Sequence, residues 1–351
     1  MIAPPADRRP EPLHTARIRP AKLGQSLAII RSANSSRECP PAAGGSRAAG
    51  DDHPRQYRRS LRALLHPVPA DEGPDGAGHW LGRQANGLGL SGTVSTDDLE
   101  ALLSGHNPTT GRRLGRALVD RYDIKGRLIP AVAGFDGTFS APKSLSVWWG
   151  LTGDPGLLEA HDVAVRAVLE HIERYGATTR VRVNGARQHP DTQGLTMAVF
   201  RQATSREDDP QIHTHVVFSA KVRAPDGQWL ALDARYLKRH QRALGGLYQS
   251  VLRAELSHGY GVAWGWVENG QAEIAGMPAE LLATFSKRTT QVDGALADKI
   301  AAFRDREGRD PSRWERAALT REAARDTRAA KTGASASDLA TAWRKEAAAL
   351  G

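Results

Sequence analysis

The sequence predicts an α+β fold in which a central antiparallel sheet carries covering helices and is followed by a helical C-terminal region. Three observations predict it. Short runs rich in Val, Ile, Thr and Phe between Ile129 and Leu232 read as strands, and Asp226-Gly227 supplies the tight turn of an antiparallel hairpin. Apolar residues recur at helical spacing from Leu158 to Ile172 and from Leu237 to Leu256. From Pro278 onward the pattern is helical throughout.

Residues 1–78 read as a disordered basic leader, dominated by Pro, Gly, Ser, Ala and Arg, as in Pro40-Pro41-Ala42-Ala43-Gly44-Gly45. Only Tyr57 to Leu65 has the pattern of a short helix. Order is expected from His79-Trp80. Ser95 followed by Asp97, Asp98, Leu99, Leu102 and Leu103 marks an N-capped helix, ended by Gly105 and Pro108. Ile129 to Thr138 is a strand carrying Asp136, and Pro142-Lys143 opens a helix through Trp148. After the turn at Asp154-Pro155-Gly156 comes a long helix that includes His161 in its apolar stripe and ends at Gly176. Thr179 to Val183, Leu195 to Gln202 and Ile212 to Val222 follow as strands, the last turning into Gln228 to Leu232. Tyr236 to His258 is helical, Val262 to Ile274 a small hairpin, and the C-terminal helices break near Thr289, Asp310-Pro311 and Gly333. The expected division is leader 1–78, sheet region 79–275 and helical extension 276–351.

Composition limits the function. The net charge is +9, but twelve Lys and Arg against five Asp and Glu in residues 1–70 supply seven of those nine charges. The basicity therefore belongs to an arm, solvated or touching nucleic acid, and says little about the folded part. A single cysteine, Cys39, excludes a disulfide framework and a cysteine-rich zinc finger. No run reaches the roughly 20 apolar residues of a membrane span. Leu23 to Ile30 is too short, and too interrupted by Gln25 and Ser26, for a secretory signal, so a cytoplasmic site is expected.

The chemistry concentrates in Thr204 to Val217, where His213 and His215 stand two residues apart in a β-branched run. On a strand both rings leave one face, a geometry suited to a divalent metal, while Ile212, Thr214, Val216 and Phe218 pack on the other. No H-E-x-x-H accompanies them. Asp136 is a candidate general base or partner to the metal ligands. Lys143, Arg201, Ser205 and Arg206 are candidates for holding DNA phosphates.

The segment Gly134 to Ser146, the Thr204 to Val217 segment, Asp226-Gly227-Gln228-Trp229 and Tyr248-x-x-x-Leu252 together resemble the relaxase domain of conjugative plasmid transfer proteins of the TrwC/TraI (MobF) type, HUH-like endonucleases. The resemblance runs from about Trp80 to the C-terminus, with separate motifs in order. It implies a palm-like sheet with helical fingers over single-stranded or hairpin DNA at a transfer origin. It further implies a tyrosine that attacks a phosphodiester, a metal held by three histidines, and a supporting aspartate.

By this resemblance Asp136 takes the aspartate role, and His213 and His215 take two ligand roles. The third ligand position, eleven residues before His213, is Gln202, whose neutral, hard amide oxygen suits Mg²⁺ or Mn²⁺ better than Zn²⁺. The family's nucleophilic tyrosines precede the Trp80-like segment, and Tyr57 is the only tyrosine there. The function implied is a bacterial, cytoplasmic relaxase that nicks single-stranded DNA through a tyrosyl–DNA link, possible partners being other conjugation proteins. The alternative is a truncated, catalytically inactive DNA-binding module. No Walker A motif is present, so the chain is not expected to unwind DNA itself.

Overall fold

The computed structural model describes residues 26–31, 77–268, 270–328 and 334–350. Tyr57 lies outside the described residues. A five-stranded antiparallel sheet forms the centre, built from β1 (Ser26–Arg31), β2 (His79–Leu81), β5 (Val132–Ser140), β8 (Met197–Thr204) and β9 (Pro210–Ser219) in the order β1-β5-β9-β8-β2. Three small hairpins leave it: β3 (Arg121–Tyr122) with β4 (Leu128–Ile129), β6 (Val181–Val183) with β7 (Ala186–Gln188), and β10 (Lys221–Arg223) with β11 (Trp229–Ala231).

Period-two alternation along β9 divides the sheet into two faces. Ile212, Val216 and Phe218 enter the main core with α4 (Pro155–Gly176) and α5 (Arg235–Tyr260). Asp154 caps α4 by accepting from the Gly156 N–H at 2.9 Å, and Gly261, at φ 65°, ends α5 in a conformation that costs glycine little. The other face carries a second, smaller core at one end. There α1 (Arg83–Gly87) and α2 (Thr96–Leu103) pack Ala85, Leu99 and Leu103 with Trp80 onto Ala198, Phe200 and Val217. The Ser95 hydroxyl caps α2, accepting from Asp98 N–H at 3.1 Å. The rest of that face holds polar side chains.

Between strand and C-terminal region sits α3 (Lys143–Thr152). A Cβ on Gly150 would stand 2.7 Å from Pro210 Cγ and 3.0 Å from Trp343, so only glycine lets this helix approach β9 so closely. The C-terminal helices are α6 (Ala279–Thr284), α7 (Lys287–Glu307), α8 (Arg313–Asp326) and α9 (Ala336–Ala348). Helices α7 and α8 share a satellite core of Leu296, Ile300 and Ala323, and α9 returns to the sheet region with Trp343 at 6.0 Å from Trp149.

Four expectations are corrected or refined. The leader is not uniformly without order, because Ser26–Arg31 pairs with β5 and extends the sheet. The same Leu27-Ala28-Ile29-Ile30 run that is too short for a signal segment has the β-branched content of a strand. The strand expected at Thr179 to Val183 belongs to a peripheral hairpin. The run Ile212 to Val222 divides at Ala220, where Lys221 turns away and donates from Nζ to the Arg116 carbonyl at 2.6 Å. Helix α7 passes through Thr289 unbroken, the break falling at Phe285-Ser286 instead.

Candidate metal and nucleic-acid site

His213 and His215 leave the sheet face opposite the main core, their ring centroids 5.3 Å apart at 73°. On the flanking strands, register puts Ser140 and Gln202 across from His213, and Thr138 and Phe200 across from His215. Asp136, one pleat further along β5, accepts from Nδ1 of His215, with Oδ1 at 3.0 Å and Oδ2 at 3.2 Å. Both side chains are about one-fifth exposed, so solvent or a ligand reaches them.

These hydrogen bonds set the tautomers. Nδ1 of His213 lies 2.8 Å from the Gln211 carbonyl oxygen, and an oxygen acceptor requires a proton on that nitrogen. The same holds for Nδ1 of His215 against the Asp136 carboxylate. Each ring therefore carries its lone pair on Nε2, the form in which imidazole binds a metal. The donor set is two imidazole nitrogens with the Gln202 amide beside them, which fits a divalent cation that retains water. Among the described residues no group of three or more His, Cys, Asp and Glu side chains is arranged as a metal cage.

The remaining sequence candidates separate. Lys143 is half-buried rather than exposed. Its Nζ donates to the Pro210 carbonyl at 2.9 Å, and burial pushes its pKa down to about 8 although Asp209 and Glu273 oppose the shift. Ser205 holds the β8–β9 turn, its hydroxyl accepting from Glu207 N–H at 3.2 Å and Asp209 N–H at 3.1 Å. Arg201 pairs in register with Thr214, so it occupies the face opposite the histidines and is ion-paired with Asp162. Arg206 follows Ser205 in that turn; burial, then Arg328 and Arg288, lower its pKa.

Three features escape the sequence reading. His161, fully buried, links Tyr248 and Thr214, with Nδ1 at 2.7 Å from the Tyr248 hydroxyl and Nε2 at 2.7 Å from Thr214 Oγ1. Thr214 sits between the two site histidines, so this chain fixes the pleat that presents them. Burial holds the His161 pKa down at about 3 and the Tyr248 phenol well above its ordinary range. The apolar stripe around His161 is the signal that marks it as a core histidine.

The second feature is Glu273. Its carboxylate accepts from the backbone N–H of Lys143 at 3.3 Å and of Ser144 at 2.7 Å, capping α3, whose own N-cap is Pro142 and supplies no side-chain acceptor. The third is the β3–β4 hairpin. Residues 112–127 carry six exposed Lys and Arg against Asp120 and Asp123, with Tyr122 64% exposed and Ile124 fully so. A projecting basic ribbon with aromatic and aliphatic side chains is a surface suited to nucleic acid.

Known proteins share this fold. The family described as TrwC relaxase matches residues 71–350. The multifunctional conjugation protein TraI of Escherichia coli is 35% identical over 233 residues, which are 62% of this chain and 12% of that protein, so the chain spans a small part of its curated relative. The metal-free structure of conjugative relaxase TrwC in complex with OriT DNA is 30% identical, with a TM-score of 0.69 over 93% of this chain and 99% of that one. Its metal-bound counterpart, also with OriT DNA, is 29% identical with a TM-score of 0.71 over 93% and 98%. With its sheet, its paired histidines and a family match over most of its length, the chain belongs to the TrwC relaxase family.

Proposed function

We propose that this chain is a conjugative relaxase module that binds single-stranded or hairpin DNA at a transfer origin and joins the cut strand to one of its tyrosines. The observation that carries the reading is the Asp136–His215–His213 arrangement, with both Nδ1 atoms donating and both Nε2 atoms ready to ligate. In this reading residues 79–275 form the palm and 276–351 the fingers. The site works in the bacterial cytoplasm, and other conjugation proteins are natural partners. No described helix is long and apolar enough to cross a membrane.

His213 and His215 would hold the ion, with Gln202 adding a neutral oxygen, which favours Mg²⁺ or Mn²⁺ over Zn²⁺. When bound, a divalent cation neutralises the scissile phosphate and the charge that develops on it. Asp136 keeps His215 in the ligating tautomer, and the basic β3–β4 hairpin and Arg206 take phosphates along the strand. A tyrosine oxygen forms the new O–P bond as the bond to the 3′-oxygen breaks, and the departing oxygen takes a proton to become a 3′-hydroxyl. The phosphotyrosyl ester conserves the bond, so the same 3′-hydroxyl can reverse the step.

A second reading, a DNA-binding module that does not cut, is favoured by two observations. Glutamine stands at the third ligand position, and among the described residues Asp136 hydrogen-bonds His215 and no tyrosine. One experiment separates the two readings. The chain is incubated with an oligonucleotide carrying its cognate nick site and Mn²⁺, and covalent adduct is sought on a denaturing gel. An adduct lost in Tyr57→Phe establishes the relaxase with that nucleophile, and one that survives assigns another tyrosine. Retained binding without adduct leaves the binding module.

A further inference from the structure

On the sheet face opposite the histidines, a cleft of about 220 Å³ opens between β2, β8 and α4. Leu81, Leu169 and Val199 form its apolar walls, and Arg201, Asp162 and His79 supply polar groups. Arg201 Nη1 is engaged with Asp162, and the Arg201 side chain, just over a quarter exposed, lines the cleft. A guanidinium carries five N–H donors, so Arg201 can hold Asp162 and still donate to an acceptor that enters the cleft.

The cleft adjoins the proposed cutting site across a sheet edge. Strand β2 covers only Met197–Val199 of β8, so Phe200 to Thr204 form the edge among the described residues. Gln202 and Arg201 are neighbours there, one on the histidine face and one in the cleft. A strand bound at Gln202 needs to turn only around that edge to bring its next base to Arg201.

We infer that this cleft is a subsite for an extruded guanine of single-stranded DNA flanking the cut, a proposal that rests on the function proposed above. A carboxylate beside a guanidinium donor is the complement of guanine, whose O6 accepts next to ring N–H and amino donors. Asp162 accepts from the N1–H and N2–H groups, and the part-exposed Arg201 guanidinium donates to O6. Adenine presents an amino donor where O6 would stand, and so sets donor against donor. The apolar walls cover the ring faces, and Arg166, exposed and lining the cleft, takes the attached phosphate.

The test titrates the full chain with dGMP, dAMP, dTMP and inorganic phosphate by calorimetry. dGMP is expected to bind about ten-fold or more tightly than dAMP. Leu81→Trp, which fills the cleft from the edge strand, and Asp162→Asn should each weaken dGMP by about ten-fold, with unchanged unfolding midpoints showing that the fold is kept. Equal binding of dAMP, a response to phosphate alone, or undiminished dGMP binding in Leu81→Trp overturns the proposal. Should Leu81→Trp fail to fold, Asp162→Asn decides it by the same criterion. The covalent-adduct assay scores the relaxase reading separately: adduct without dGMP binding discards the subsite alone, and dGMP binding without adduct discards cutting alone.

Discussion

Asp136 Oδ1 lies 3.0 Å from Nδ1 of His215, so a carboxylate on β5 fixes the tautomer of an imidazole on the next strand. Removing such a partner lowers metal affinity by about 10–100-fold in comparable sites. Asp136→Ala is therefore expected to weaken Mn²⁺ binding by about that factor while leaving the fold intact, as read by calorimetry. Unchanged affinity would mean that His215 does not ligate through Nε2.

Gln202 stands directly across β8–β9 from His213. Replacing it with histidine adds a third imidazole on the same face, and nitrogen ligands favour the later transition metals. Gln202→His should raise Zn²⁺ affinity by about ten-fold or more and change Mg²⁺ affinity much less. A competition titration with a chromogenic chelator measures both.

His161 makes folding sensitive to acid. Burial, with Arg201 and His213 adding to it, holds its folded pKa at about 3, below the unfolded 6.5. The unfolded chain therefore binds the extra proton, and the stability present above pH 6.5 is lost as pH falls toward 3. The loss is about 2 kcal/mol between pH 7 and pH 5. Urea unfolding at the two pH values reads it. His161→Gln should flatten that slope and also lower stability at pH 7, since Tyr248 and Thr214 lose their buried partner.

Glu273 closes the start of α3 from 130 residues away in sequence. Glu273→Ala leaves the Lys143 and Ser144 N–H groups without their acceptor and should cost about 1–2 kcal/mol, the usual worth of a helix cap. Gln should recover part of it. Chemical denaturation of both variants gives the comparison.

The β3–β4 hairpin should reveal itself through salt. Each phosphate contact to single-stranded DNA contributes about −0.7 to the slope of log K against log salt. Neutralising Arg121, Lys125 and Arg127 together is expected to make that slope shallower by about 1–2 and to weaken binding at low salt. A hairpin that does not touch DNA would leave the slope where it was.

Much of this architecture is readable from periodicity. The stripes in α4 and α5 and the alternation along β9 foretell two helices on one face and two histidines on the other, because burial imposes those periods directly. The register of β5, β9 and β8 puts Asp136 and Gln202 on the sheet face that carries the histidines. What the sequence conceals is pairing over distance. Nothing near Glu273 indicates that it caps a helix 130 residues earlier, and nothing near Lys143 shows that its cation donates to the Pro210 carbonyl. Arg201 misleads for a related reason. Adjacency to Gln202 suggests a shared surface, whereas strand pleating sends neighbours to opposite sides.

The register of β1 also bears on how the protein is made. Ala28 pairs with Asp136, more than a hundred residues later. Closing a loop of that size costs about 4 kcal/mol in chain entropy, so this edge contributes nothing to an early nucleus. At a synthesis rate of about 5–20 residues per second, β1 leaves the ribosome roughly 5–20 s before its partner exists. Throughout that interval the Leu27-Ala28-Ile29-Ile30 segment lacks the β5 backbone that satisfies it in the fold, and its N–H and C=O groups are open to pairing with another chain.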